Sequence, residues 1–248
     1  MLVTRPKTQS EAFCQLLSSA GATPIALPSI EINPCSIDKK QITFPDKSRQ
    51  LAIFIGQNAV DHALEFIKLL PESTELLAIG GKTAQRMQSN GLSVAIVPQT
   101  GFTSEALLEL PEMQSLVDTH VTLFRGKGGR TLLQNELARR GASVSCIDLY
   151  QRILPMYTQK TLYQCLIEST PRIVTITSVE TLRNFLFITD KLPAFNARTL
   201  PVIAGSKRIG DAVRDAGFSV APWIASDPTD ESMMQALLQW KENEIALP

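Results

Sequence analysis

Short apolar runs ending in glycine, threonine or serine alternate along this chain with stretches of 10–14 residues whose apolar positions recur at helical spacing. The runs fall near residues 1–4, 24–28, 51–55, 76–80, 94–97, 120–124, 144–148, 172–177, 201–204 and 218–222. Their Val, Ile and Leu content suits strands buried on both faces, and the helical stretches supply the crossovers that parallel strands need. The alternation predicts an α/β protein built from doubly wound parallel sheets. Gly21, Gly91, Gly141 and Gly217 each stand between a helical stretch and the next run, where a left-handed residue closes a helix.

The pattern is written twice. LVTRP around Arg5 leads to Gly21-Ala22, and LFRGK around Arg125 leads to Gly141-Ala142, with an Arg-to-Gly spacing of 16 in both (21−5 and 141−125) and Leu17 matched by Leu137. IFIGQNAV near Gly56 matches TITSVETL near Ser178 at an offset of 122 (178−56). ELLAIGGK with its continuation to Glu105 recurs 126 residues later (231−105) as LPVIAGSK with its continuation to Glu231. The order is A-B-C followed by A′-B′-C′, an internal duplication of α/β units.

Two connections interrupt the rhythm at equivalent places. Ser29 to Gln50 carries Pro34 and Pro45, and Asp148 to Arg172 carries Pro155. Long connections in α/β chains commonly cross between domains. If both do so here, residues 38–149 form a domain inserted into one made of residues 1–35 and 153–248, with linkers at about 29–37 and 148–155. SIEINP and DLYQRILP would then run side by side as a two-stranded hinge.

Composition narrows the function. Lys plus Arg and Asp plus Glu balance at 24 each, so no global field favours nucleic acid or a membrane surface. No apolar segment has the length of a signal peptide core or a membrane span, which leads us to expect a cytoplasmic protein. Four scattered cysteines and two histidines offer no ligand spacing for a metal.

Ligands of parallel sheets bind beyond the carboxyl ends of the strands, where helix starts present N–H groups. Those ends carry Arg5, Gly56-Gln57, Gly80, Lys82-Thr83, Gly126-Lys127, Arg130, Thr177-Ser178, Ser206-Lys207 and, before the last helix, Thr229. Hydroxyls, bare backbone and cations suit an anion with several carboxylates or phosphates. Each also has a structural use: Ser178, Thr103 and Thr229 can cap helices, and Arg5 and Arg125 can pair with a neighbouring connection. RGKGGR lacks the glycine that a dinucleotide loop requires at Thr131, and no phosphate-loop motif occurs. Tyr150, in the second linker, takes the place of Ile30 in the first copy (150−120). It is either a core aromatic or a phenol that faces a ligand as donor or general acid.

LVTRP at 2–6, the strand and QNAV at 53–60, AIGGKTA at 78–84, RGKGGR at 125–130, YQR at 150–152, TITSVETL at 175–182 and the closing C′ unit, in this order, resemble the uroporphyrinogen-III synthase family over essentially the whole chain. The resemblance implies two α/β domains joined by a two-stranded linker and a monomeric enzyme of tetrapyrrole biosynthesis that needs no cofactor. Its substrate would be hydroxymethylbilane, a linear octacarboxylate, closed to uroporphyrinogen III with inversion of ring D. Transient contact with the upstream hydroxymethylbilane synthase would fit the same pathway. The family's linker tyrosine corresponds to Tyr150, and its carboxylate-binding positions to Gly80, Lys82, Thr83, Thr177, Ser178, Ser206 and Lys207. Where many relatives have serine this chain has Gly56. A non-catalytic tetrapyrrole-binding relative and a two-domain nucleotide-sugar transferase are the alternatives.

Overall fold

The computed structural model describes residues 1–45, 47–99, 103–129 and 131–245, which divide into two compact units: residues 1–31 with 153 onward, and residues 32–152. In chain order the strands are β1 (Leu2–Val3), β2 (Ile25–Ala26), β3 (Glu31–Pro34), β4 (Arg49–Phe54), β5 (Glu75–Ala78), β6 (Thr119–Gly126), β7 (Ser143–Ile153), β8 (Val174–Ile176), β9 (Val202–Ala204) and β10 (Trp223–Ile224). The helices are α1 (Lys7–Ser19), α2 (Gln57–Ile67), α3 (Gly81–Ser89), α4 (Ser104–Leu108), α5 (Leu132–Arg139), α6 (Gln159–Tyr163), α7 (Val179–Thr189), α8 (Lys207–Asp215) and α9 (Asp230–Ile245).

The first unit holds the sheet β10-β9-β8-β1-β2, and the second holds β3-β7-β6-β4-β5. Neighbours in the first sheet pair in parallel, as do β5, β4, β6 and β7 in the second. The two orders match under the duplication. β9, β8, β1 and β2 stand in the sequence places of β5, β4, β6 and β7. Each sheet thus joins the A segment of one copy to the B and C segments of the other.

Alternation along the strands builds a core on each face of each sheet. In the first unit Leu2, Val174, Ile176, Val202 and Ala204 meet α6, α7 and α8 through Leu162, Phe185 and Val213. Val3 and Ile203 face the opposite way, onto Phe13 and Leu17 of α1 and Met233 of α9. In the second unit Ala52, Phe54, Ala78 and Phe124 pack under α2 and α3, and Phe54 and Phe124 lie 5.0 Å apart. Leu51, Ile53, Leu77 and Leu123 pack on Leu107 and Leu137 of α4 and α5. Burying one such side chain stabilises the unit by about 1.5–3 kcal/mol, which is why short strands suffice.

Gly21, Gly91, Gly141 and Gly217 have φ of 79°, 75°, 99° and 80°, as helix closure requires. Two expected strands differ. Near 94–97 there is a single parallel bridge, Leu77 to Ile96. The run at 218–222 is not a strand: the Ser219 N–H is spent on the Arg198 carbonyl, Val220 is exposed and Pro222 has no N–H, so pairing begins at Trp223. β3, within the run SIEINP, lies at the sheet edge beside β7, the side-by-side pairing the sequence leads us to expect, with the Cys35 N–H donating to the Leu149 carbonyl.

Candidate functional site

Helix starts at the carboxyl ends of the strands position nearly all the candidate residues, and the two units arm them differently. In the first unit the starts of α7, α8 and α9 are each closed by a hydroxyl, whereas α1 begins after Pro6 without a side-chain cap. Ser178 accepts from the Thr181 N–H at 3.0 Å, Ser206 from Ile209 N–H at 3.4 Å and Thr229 from Ser232 N–H at 3.2 Å. Thr177 is half-buried ahead of Ser178, and Lys207 is exposed at the first position of α8. These hydroxyls satisfy one orphan donor each and leave the other N–H groups of the first turn directed along the helix axis.

In the second unit the starts of α2 and α3 carry glycine instead. Gly56 and Gly80 precede α2 and α3 with no side-chain cap. Gln57 and Lys82 are exposed, whereas Thr83 is 4% exposed and turned into the core. Thr103 accepts from the Ala106 N–H at 3.3 Å. Bare backbone and an unburied lysine present donors to an anion without competition from a capping hydroxyl. Lys127 is exposed, and its N–H donates to the Tyr150 carbonyl at 2.7 Å. Arg130 lies outside the described residues.

The two duplicated arginines are held inside their units. Arg5, 5% exposed, pairs with the Asp230 carboxylate at the start of α9, donates to the Pro228 carbonyl at 3.1 Å and lies 4.6 Å over the Phe13 ring. Its Nε is buried without a partner. Arg125 donates to Asp148 at 2.8 Å and to Gln134 at 3.3 Å. Arg5 therefore fastens the end of β1 to the start of α9, and Arg125 fastens the end of β6 to β7 and α5, and the charge of each is partly spent there.

Tyr150 is 3% exposed and belongs to the core packed under α2. Its ring stands 5.8 Å from that of His62 at an interplanar angle of 31°. The hydroxyl end lies over the half-buried backbone of Gly126, at the carboxyl end of β6.

Sequence reasoning overlooked the lock behind α7. Ser29, fully buried, places its Oγ 3.1 Å from the Thr181 carbonyl and 3.2 Å from that of Thr4, while Asn184 donates to the Ser29 carbonyl at 2.8 Å. One residue away, Tyr157 donates to the Pro28 carbonyl at 2.7 Å. Burial pushes the Tyr157 phenol up to about 12, which keeps it a donor at any physiological pH. The start of α7, and with it Ser178, is thereby tied to the chain leaving β2. A serine in a proline-bounded connection was the signal available, but its partners in α7 lie more than 150 residues on (181−29).

Among the described residues no group of three or more His, Cys, Asp or Glu could hold a metal, and no helix is long and apolar enough to cross a membrane.

Known proteins share this architecture. The structure superposes on uroporphyrinogen-III synthetase from Helicobacter pylori with a TM-score of 0.61 at 20% identity, over 89% of this chain and 94% of that one. It superposes on a mutant uroporphyrinogen III synthase from Thermus thermophilus with a TM-score of 0.58 at 18% identity, over 98% of each. At these identities the likeness establishes the fold. In sequence, the chain is 32% identical to uroporphyrinogen-III synthase of Proteus mirabilis over 169 residues, 64% of this chain and 83% of the relative. It is 30% identical to that of Escherichia coli over 164 residues, 61% of this chain and 64% of the relative. The family model described as uroporphyrinogen-III synthase HemD matches residues 11–235. With nearly the whole of its length matched, the chain belongs to the uroporphyrinogen-III synthase family.

Proposed function

We propose that this protein closes hydroxymethylbilane to uroporphyrinogen III with loss of water and inversion of ring D. Membership of the family makes it a cyclising lyase of tetrapyrrole synthesis. The substrate's pyrroles are electron-rich enough to expel the hydroxyl themselves, giving an azafulvene. Attack on it by the substituted carbon of ring D forms a spiro intermediate that reopens and recloses with the ring inverted. The protein then has two tasks: to protonate the departing hydroxyl, and to hold the chain in the geometry that favours attack at the substituted carbon.

Tyr150 takes the first task. The observation that supports it most is the placement of its hydroxyl end over Gly126, at the carboxyl end of β6 where ligands of parallel sheets bind. Carboxylates are met in the first unit by the starts of α7, α8 and α9 (Thr177, Ser178, Ser206, Lys207, Thr229, with Arg5 behind them). In the second unit they are met by those of α2 and α3 (Gly56, Gln57, Gly80, Lys82, with Thr83 behind them) and by Lys127 and Arg130. Bare N–H groups and mixed cations suit a flexible polyanion, since each contact is worth little alone and geometry comes from their number.

The reaction needs no metal or redox cofactor, because every bond made or broken is polar and internal to the substrate. Spontaneous closure of the substrate to the unflipped type I isomer favours prompt capture in the cytoplasm by transient contact with the synthase that makes it, and a monomer is the form the family resemblance implies. Isomer analysis of the product tests the assignment: type III above the spontaneous background is expected, and type I alone would refute it.

A further inference from the structure

We propose that Gly126 is a positioning residue for Tyr150, present because any side chain there would push the phenol off the strand end. This rests on the assignment of Tyr150 to the loss of the hydroxyl. It gives Gly126 a different role from that of a backbone contact to a carboxylate.

Strand register puts the two residues together. Along β6 and β7, His120 to Arg125 oppose Ser143 to Asp148 at a constant offset of 23 (148−125), but Gly126 opposes Tyr150, at 24. Leu149 is skipped, and the Lys127 N–H closes the irregularity on the Tyr150 carbonyl at 2.7 Å. A bulge of this kind re-aims the side chain that follows it. Without it, Leu149 would stand opposite Gly126.

The ring then lies directly on the glycine. A Cβ at position 126 would fall 2.7 Å from Tyr150 Cζ, 2.8 Å from Cε2 and 3.0 Å from Oη. Carbon contacts settle at about 3.5–4.0 Å, so even alanine would displace the hydroxyl end by roughly 1 Å. There is little room for a harmless shift, since the ring is 3% exposed, stands 5.8 Å from that of His62 and belongs to the core packed under α2. Nor does the backbone ask for glycine: Gly56 and Gly128 have positive φ, and Gly126 does not. What glycine supplies here is the absence of a Cβ under the reacting end of Tyr150.

The test combines turnover with a direct view of the ring. Protein labelled with fluorotyrosine carries three reporters, Tyr150, Tyr157 and Tyr163, and Tyr150→Phe assigns the first. In Gly126→Ala we expect the Tyr150 fluorine resonance to move while the other two stay. Type III turnover should fall about tenfold or more with KM little changed, because a misplacement of this size acts on the transition state. Combined with Tyr150→Phe, the same substitution should cost no further activity. An unmoved resonance, or losses that multiply in the double variant, would overturn the proposal. A moved resonance with wild-type turnover in Tyr150→Phe would instead refute the catalytic assignment of Tyr150 and, with it, any role of Gly126 in turnover. If Gly126→Ala melts below the assay temperature, Gly126→Ala/Tyr150→Leu decides: recovered stability supports the contact, and unrecovered stability contradicts it.

Discussion

Gly56 and Ser178 occupy the same place in the two copies of the duplication, yet their backbones differ: Gly56 has φ 97° and Ser178 has φ −156°. Ser178 spends its hydroxyl on the Thr181 N–H, whereas Gly56 opens the start of α2 in a conformation that L side chains rarely adopt. A serine at position 56 would therefore have to adopt that conformation or change it. Gly56→Ser is expected to lower stability by about 1 kcal/mol, read as a shift in the urea midpoint at constant m-value. Stability equal to or above that of the parent would show that the loop relaxes to the extended form seen at Ser178.

Arg5 depends on Asp230. Its guanidinium is almost wholly buried, its Nε has no partner and it pairs with the Asp230 carboxylate. Removing one member of a buried pair leaves a charge without compensation, at about 3–5 kcal/mol when both are fully buried. The Asp230 side chain is 30% exposed, so Asp230→Asn is expected to cost about 2 kcal/mol in thermal or chemical unfolding. A loss within about 0.5 kcal/mol, the range of ordinary surface changes, would mean that Arg5 finds other partners.

His120 makes stability depend on pH. Burial depresses its pKa, offset in part by a hydrogen bond involving the Ser143 backbone, and its Nε2 has no partner in the core. The unfolded chain takes up a proton as pH falls below about 6.5, while the folded chain resists until its own lower pKa is reached. Between the two the unfolded state binds more protons, so unfolding free energy falls with pH there and levels off below the folded value. Urea unfolding at pH 7.5 and at pH 5 should show this decline in the parent and a smaller one in His120→Leu. Equal slopes would remove His120 as the cause.

Tyr150→Phe retains the ring that fills the core under α2 and removes only the hydroxyl. Turnover to the type III isomer should fall about 100-fold or more if the phenol protonates the leaving group, with an unchanged melting temperature. Unchanged turnover would take Tyr150 out of the chemistry and leave it as a core aromatic.

Local signals were the legible ones. Glycine after a helical stretch, hydroxyls before one and apolar alternation each act within a few residues, so Gly21, Gly217, Ser178 and Ser206 could be placed from sequence, together with most strands. The duplication added the correspondence of Arg5 with Arg125. Relationships set by the fold were illegible: Asp230 as the partner of Arg5, the Ser29–Asn184 lock, and the single skipped residue that lays Tyr150 on Gly126. Their partners are remote in sequence, and a one-residue register shift leaves no mark in hydrophobic periodicity. The run at 218–222 misled because Phe218 and Val220 look like strand while Pro222 and the bonded Ser219 prevent pairing.

Product isomer composition bears most directly on the central claim. Hydroxymethylbilane is generated in situ, the protein is added, and the products are oxidised and separated as type I and type III porphyrins. Predominant type III, rising with protein concentration, is the predicted result. Type I alone, at the rate seen without protein, would contradict the assigned activity even though the family fold is present.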